Sequence, residues 1–482
     1  MVVLLTSVAV KGQTPIESYL EWKRQAKASY MGYKQRVRND YDEFRRKANA
    51  EYAEFMRKAW SGVKGHPAIP LPEEPLPLRP PEVVPEKMPV SEPMPFDDVV
   101  PLHTPAPVPE IPLPDVDDAI VSTYHFEFYH SDCTVHWDKS MSFQLADFGE
   151  ATLADAWDSL SQDCRYDLLL RDCLNIRQSR ALGDWGYIDF VRRLTTDFFI
   201  VDGGEAVLLQ LWILAQSGYK ARMARTEGGR LLLLVPFDLD VYGYMYVQID
   251  EVDYYVLGGD GEEQLYILDH AYPGERTASL RLANPPHLER YTSDRRTIVS
   301  TQYPLLSIQV SVNQNLIDFY NHYPRVDGNW DVYARASLSS GVKEQIYPRL
   351  KEKLHGYDEQ QQADMLLNMI QTGFSYATDQ EQFGGERSLF ADESLFYPSC
   401  DCEDRSILYS ILVRDLLGLD VVLVHAPGHL FTAVRFSQPA EGDYLKLDGQ
   451  RYTICDPTYI GASIGQAMPE CREAGLTVYP LR

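Results

Sequence analysis

The sequence predicts an α+β protein in which a buried helix followed by antiparallel strands occurs twice, behind a long N-terminal helix and a proline-rich linker. Three observations predict it: an eleven-residue aromatic pattern near the N-terminus, a dense block of prolines, and a self-similarity that appears when the chain is slid by 200 residues. With 482 residues, 45% of them hydrophobic, the chain has room for two or three globular units. A formal charge of −25 disfavours nucleic acid as a partner, because neutralising phosphates needs clustered Lys and Arg.

Residues 1–13 read as a truncated signal peptide: an apolar run, then small residues, with Val10 and Gly12 suitably placed for cleavage before Gln13. The basic stretch that should precede the run is missing. An export signal of this kind places the protein in the periplasm or outside the cell. No other run approaches the roughly 18 apolar residues of a membrane span.

Residues 14–64 read as a basic amphipathic helix. Its stripe repeats every eleven residues as Tyr19, Trp22, Ala26; Tyr30, Tyr33, Val37; Tyr41, Phe44, Ala48; Tyr52, Phe55, Ala59. Eleven residues over three turns is about 3.67 per turn, so the stripe runs almost straight or drifts toward a right-handed coiled coil. Such a face can self-associate, dock on an envelope surface, or lie against its own protein.

Residues 65–116 form the linker. Between 67 and 114 stand 17 of the 31 prolines, which favour extended polyproline II and forbid helix. The expected role is a spacer that holds the basic helix away from the globular part of the chain.

The internal repeat assigns 117–300 to a first copy and 301–482 to a second. At an offset of 200, Gly218 meets Gly418, and Val207, Leu208, Leu211, Trp212 and Ile213 meet Ile407, Leu408, Ile411, Leu412 and Val413. The apolar positions have helical spacing, so each copy holds a buried helix closed by glycine and followed by a strand, at 220–225 and 420–425. Alternating segments at 121–129 and 141–145, and at 306–311 and 330–335, are expected to precede these helices.

The chemistry lies in the second copy. Ser399-Cys-Asp-Cys-Glu-Asp-Arg-Ser406 leads into the helix, so Cys402 sits at its N-terminal edge, where unpaired N–H groups and the positive end of the dipole favour a thiolate. Asp401, Glu403 and Asp404 oppose it by like-charge repulsion, so a His partner is needed. His429 opens a strand after the turn Ala426-Pro-Gly428, and Asp456 closes the strand 451–455. If 451–455 pairs antiparallel with 429–436, Asp456 reaches His429. Asp456 then orients the imidazole, His429 takes the thiol proton, and Cys402 attacks an acyl carbonyl.

Cys402-Glu-Asp before a helix closed by Leu-Gly, Pro427-Gly-His429 opening a strand, and Tyr452-Thr-Ile-Cys-Asp-Pro-Thr458 together resemble the signature blocks of the transglutaminase-like superfamily. The resemblance covers roughly residues 357–465 and implies a papain-like core, with Cys402, His429 and Asp456 as catalytic residues. It further implies acyl-enzyme chemistry on peptide or amide bonds, by hydrolysis or acyl transfer, with a protein, peptide or peptidoglycan substrate. Asp379, Glu386 and Glu393 have no role in the family pattern and read as a solvated loop.

In the first copy the offset puts Asp202 at the place of Cys402 and Gly229 at that of His429, with Asp269 or His270 as loose counterparts of Asp456. This copy is therefore expected to be degenerate and non-catalytic. No metal or cofactor is expected: the seven cysteines form no CxxC pair, and His130, Cys133 and His136 alternate faces if they lie in a strand. Cys400 and Cys402, one residue apart, are badly spaced for a disulfide. The competing reading of the chain is a non-catalytic binding or scaffold protein that keeps the fold without the activity.

Overall fold

The computed structural model describes residues 15–71, 93–105, 107, 111, 121–200, 203–259, 264–326 and 328–482, with the side chains of 15–18 excluded. The signal-peptide reading of 1–13 and most of the proline block therefore lie outside the described residues. The fold is α+β, with two six-stranded sheets that are antiparallel except at one edge, and a long N-terminal helix.

The N-terminal helix spans Pro15–Met56, and its two halves have different environments. Ala48, Asn49, Tyr52, Ala53 and Met56 are buried against the body. Tyr52 packs on Trp157 with ring centroids 4.5 Å apart, and Phe55 stacks on His270 at 4.0 Å. Further back along the same stripe, Tyr19, Trp22, Tyr30 and Tyr33 are 58–63% exposed. The reading of the helix as lying on its own protein thus holds for its last turns, where Arg45 also binds Gln216 and Asp167.

Directly after this helix, Ser61–Lys64 adds an edge strand to the first sheet by pairing with Gln264–Leu268. The helix is therefore not held away from the body, and the spacer expectation needs correction. The part of the linker that is described, from Pro93 onward, also lies on the body. Met94 N–H donates to Tyr444 O, and Asp98–Val99 runs parallel to Thr477–Val478 at the edge of the second sheet. The reason is local: Met94 is buried, and the non-proline residues between the prolines keep N–H groups that an open sheet edge can use.

The two sheets are connected in the same order. In the first, the helix Gly204–Gln216 leads to Arg222–Thr226, which hairpins with Leu231–Pro236; Val252–Leu257 pairs outside that, with Tyr246–Ile249 beyond, and Gln264–Leu268 closes the other side. In the second, the helix Cys402–Leu417 leads to Asp420–Ala426, which hairpins with His429–Arg435; Gln450–Cys455 and Tyr444–Leu447 follow outward, and Thr477–Pro480 closes the other side. Gly218 and Gly418, both with positive φ (77° and 69°), turn the chain out of the two helices into the strands, as glycine does without a Cβ penalty.

Other expected strands differ. Residues 123–128 and 131–136 form a hairpin, but 141–145 holds only the end of a short 3-10 turn, and 330–335 is a helix, Trp330–Arg335. The spacing of Trp330, Val332, Tyr333 and Ala334, all buried, fits a short helix wedged against the helix 402–417 and the strand Thr477–Pro480 as well as it fits a strand.

One buried cluster runs from Ala48 to Leu481 through both halves. Each sheet also buries its outer face, with Leu232, Leu234, Val247 and Tyr254 in the first and Val422, Val424, Phe431 and Ile454 in the second. Burial on both faces explains why the central strands, such as Leu231 to Val235, read as apolar runs with no alternation. No helix among the described residues is long and apolar enough to cross a membrane.

Candidate active site

Cys402 is the first residue of its helix. Asp401, the cap residue, is extended and makes no side-chain capping bond, so the first N–H groups of the helix remain open. One turn on and on the same face, Ser406 donates to the carbonyl of Leu430 at 2.9 Å, which fixes this end of the helix to the strand that His429 opens. The N–H of Leu430 in turn acts on the Cys402 thiol.

His429 and Asp456 meet as the strand pairing requires. Thr432↔Cys455 is the last paired step, so Asp456 emerges beside the start of its neighbour strand. Asp456 Oδ2 lies 2.9 Å from His429 Nε2, and both side chains are almost wholly buried. The other carboxylate oxygen, Oδ1, accepts from the N–H groups of Thr458 and Tyr459, which locks the acid's orientation. Phe431 stacks on the imidazole, with centroids 5.6 Å apart. His429 Nδ1, the atom left for a proton transfer, is buried and has no hydrogen-bond partner.

The thiol departs from the expected arrangement in two ways. Cys402 Sγ donates to Glu403 Oε2 at 3.1 Å and not to His429. It is also only 4% exposed. Burial is the main cause that pushes the thiol well above its ordinary pKa; the charges of Glu403 and Asp401 add to it, and the Leu430 N–H pulls the other way. Like-charge repulsion is legible in the sequence. The dominance of burial is not.

Two of the three acids expected in a solvated loop, Asp379 and Glu393, are buried, and Glu386 is half-buried. Asp379 is 3% exposed and begins the short helix Asp379–Gln382; Glu393 is 1% exposed and pairs with Arg387 at 2.5 Å. Burial, then Asp404 and Glu403, pushes Asp379 up to about 10. The misreading has a simple cause: charged residues in a segment without periodicity normally face water, and only tertiary packing turned these inward.

Gln371 is a positioning residue that carries no motif. Fully buried in the helix Glu359–Gly373, it donates to the carbonyls of Asp456, Tyr459 and Ala462 at 2.8–3.0 Å, and its own oxygen accepts from Gly461 N–H. The signal that could have found it is its place four residues after Leu367, on the apolar face of a predicted helix. None of the seven cysteines is in a disulfide. His130, Cys133 and His136 do not converge: His136 binds Asp172 at 2.7 Å, and Cys133 donates to Ser131 O.

In the first half, register overturns the offset of 200. The turn there has three residues against two, between Thr226 and Arg230, so Arg225↔Leu231 corresponds to His425↔Leu430, and the residue at the place of His429 is Arg230. Three residues on, Leu233↔Leu257 corresponds to Thr432↔Cys455, and Gly258 takes the place of Asp456, its carbonyl accepting from Arg230 Nη2 at 2.6 Å. Asp269 and His270 are not at that place; Asp269 lies by Arg222, and His270 stacks on Phe55. Asp202 lies outside the described residues.

Compared with known proteins, the chain matches no family model, no curated protein and no solved structure.

Proposed function

We propose that the second half is an exported transglutaminase-like cysteine hydrolase or acyl transferase acting on peptide or amide bonds, with Cys402 as nucleophile, His429 as base and Asp456 as orienter. The observation that carries this reading is the buried His429–Asp456 pair whose free Nδ1 has no other use, on the strand whose next N–H acts on the Cys402 thiol. In the proposed step, the thiol proton passes to Nδ1 and the sulfur attacks the carbonyl, giving a thioester after the amine leaves with that proton. The uncapped N–H groups at the start of the helix are the donors available to the oxyanion. Water or a second amine then resolves the thioester.

The burial of the thiol and its bond to Glu403 favour a second reading, a binding protein that keeps the fold. Labelling with a thiol-directed peptide electrophile, mapped by mass spectrometry over the seven cysteines, separates the two. The enzyme reading expects Cys402 to be labelled first and its labelling to fall about a hundredfold or more in His429→Ala. Equal labelling of wild type and Cys402→Ala would leave the binding reading.

A further inference from the structure

We propose that the N-terminal helix Pro15–Met56 pairs antiparallel with the same helix of a second copy of this chain, along its exposed aromatic stripe. The inference goes beyond the acyl-transfer reading and does not depend on it, since none of the residues involved belongs to the thiol site.

The eleven-residue unit has two environments on one helix. Near its C-terminal end the stripe is covered by the chain's own body, with Ala48, Tyr52 and Met56 buried and Tyr52 packed on Trp157. From Tyr19 to Phe44 the same pattern continues, yet Tyr19, Trp22, Tyr30 and Tyr33 are 58–63% exposed and Phe44 is 46% exposed. Among the described residues, the aromatic ring pairs in this stretch, Tyr19 with Trp22 and Tyr41 with Phe44, are between neighbours on the helix itself. The stretch is about 39 Å long. A helix in water draws most of its stability from packing an apolar face, and over this length that face is uncovered.

The stripe selects a helix as its partner. At about 98° per residue its aromatic and small positions fall within about 65° of the circumference, the narrow seam of a coiled coil and not the broad face that lies in a membrane surface. Lys23, Arg24, Lys27, Lys34, Arg36 and Arg38 stand outside that seam. Ala26 and Val37, the smaller seam residues, let a second backbone come close enough for the rings on either side to interleave. The seam is also complementary to itself. With an antiparallel partner Tyr19 stands opposite Phe44, Trp22 opposite Tyr41, Ala26 opposite Val37 and Tyr30 opposite Tyr33. Rings face rings, small residues face small ones, and each contact occurs twice about a two-fold axis between Met31 and Gly32. A parallel partner does not fit, because the body that covers Ala48, Tyr52 and Met56 lies where its helix would continue. An antiparallel partner reaches that body only with its N-terminal turn. The area suffices: Tyr19, Trp22, Tyr30, Tyr33 and Phe44 each leave about 100 Å² to cover, or about 1,000 Å² over both copies, which is what a specific interface needs. Lys23 and Lys34 of both copies then line one groove, so charge opposes the pairing and salt favours it.

The test is sedimentation velocity on the full chain over a range of concentrations, with cross-linking for the register. Wild type is expected to pass from monomer to dimer below about 100 µM, and to associate about threefold more tightly at high salt. The double variant Tyr30→Glu, Tyr33→Glu is expected to fold as wild type does by circular dichroism, since both side chains lie off the body, and to dimerise about tenfold or more weakly. In an equimolar mixture of Ala26→Cys and Val37→Cys, oxidation is expected to join position 26 to position 37 and neither to itself, mapped by mass spectrometry. Cys402→Ala is expected to dimerise as wild type does, so failure of the acyl-transfer reading leaves this one standing. A wild type that stays monomeric at about 100 µM would overturn the proposal, and so would cross-links of position 26 to itself. It would equally be overturned by a monomer whose stripe binds anionic phospholipid vesicles less tightly as salt rises, which would mark a membrane-surface helix.

Discussion

The strand after the buried helix turns into its hairpin partner from Thr226 to Arg230 in the first half and from Ala426 to His429 in the second. From those points the two sheets continue in the same order, and where the second places Asp456 beside the histidine, the first has Gly258 beside Arg230. Arg230 and Gly258 are exposed, whereas His429 and Asp456 are 2% and 1% exposed. One wiring thus ends in a solvent-facing arginine in one half and in a buried hydrogen-bonded pair in the other. This arrangement of helix and strands can therefore be stabilised without the buried polar pair, so His429 and Asp456 are not there to hold the sheet together. Stability alone is often as well or better served by apolar residues at buried sites.

Changing the matched residues tests that difference most severely. Asp456→Leu leaves His429 Nε2 and the N–H groups of Thr458 and Tyr459 without an acceptor and is expected to cost about 3 kcal/mol, read by urea denaturation. Arg230→Ala, at the exposed counterpart of His429, is expected to cost about 0.5 kcal/mol. If the two variants cost the same, the contrast between the halves fails.

A smaller effect distinguishes the halves by pH. In the first, Asp184 is buried, but Arg276 and the Ser279 N–H outweigh burial and hold its pKa below the usual carboxylate range. In the second, burial wins at Asp392, pushed up to about 6, and at Glu393, pushed up to about 7 in spite of Arg387. A raised carboxyl binds its proton more tightly in the folded state, so its contribution is present below the unfolded pKa and is lost as pH rises through the folded one. The second half is therefore expected to lose on the order of 3 kcal/mol per group between about pH 4 and 7. A lowered carboxyl does the opposite: the first half loses the Asp184 contribution as pH falls through and below the normal aspartate range. Hydrogen exchange resolved by segment reads both slopes. Parallel slopes in the two halves would remove this distinction.

The smallest expected effect tests a feature that the halves share. Gly418→Ala adds a Cβ that meets nothing within 4 Å, so its cost is that of a positive φ, about 1 kcal/mol, measurable as a lower melting temperature. A larger loss would mean that the helix end is packed more tightly than the open space around Gly418 implies.

Much of the second half was legible in the sequence because its signals are local. The Pro427-Gly428 turn, the Asp448-Gly449 turn with both residues at positive φ, and the glycine after each buried helix report backbone requirements that only a few residue types satisfy. Those turns set the register, and the register brought Asp456 to His429. The aromatic stripe likewise predicted the N-terminal helix, since periodicity reports helix directly. Trp330–Arg335 was misread because six residues are too few to separate the two periods.

What the sequence determined by itself was which residues lie on which element, and so the pairing of His429 with Asp456 and the place of Cys402 at a helix start. Only the tertiary structure decided how deep the thiol lies, that Glu403 takes its hydrogen bond, that Gln371 secures the Asp456 loop, and that Asp379 joins the acids around Cys402. The physical reason is range. Turn and helix signals act over a few residues and are written where they act, whereas burial and electrostatics depend on which distant segments share a volume, and a charged residue carries the same letter whether it faces water or another charge.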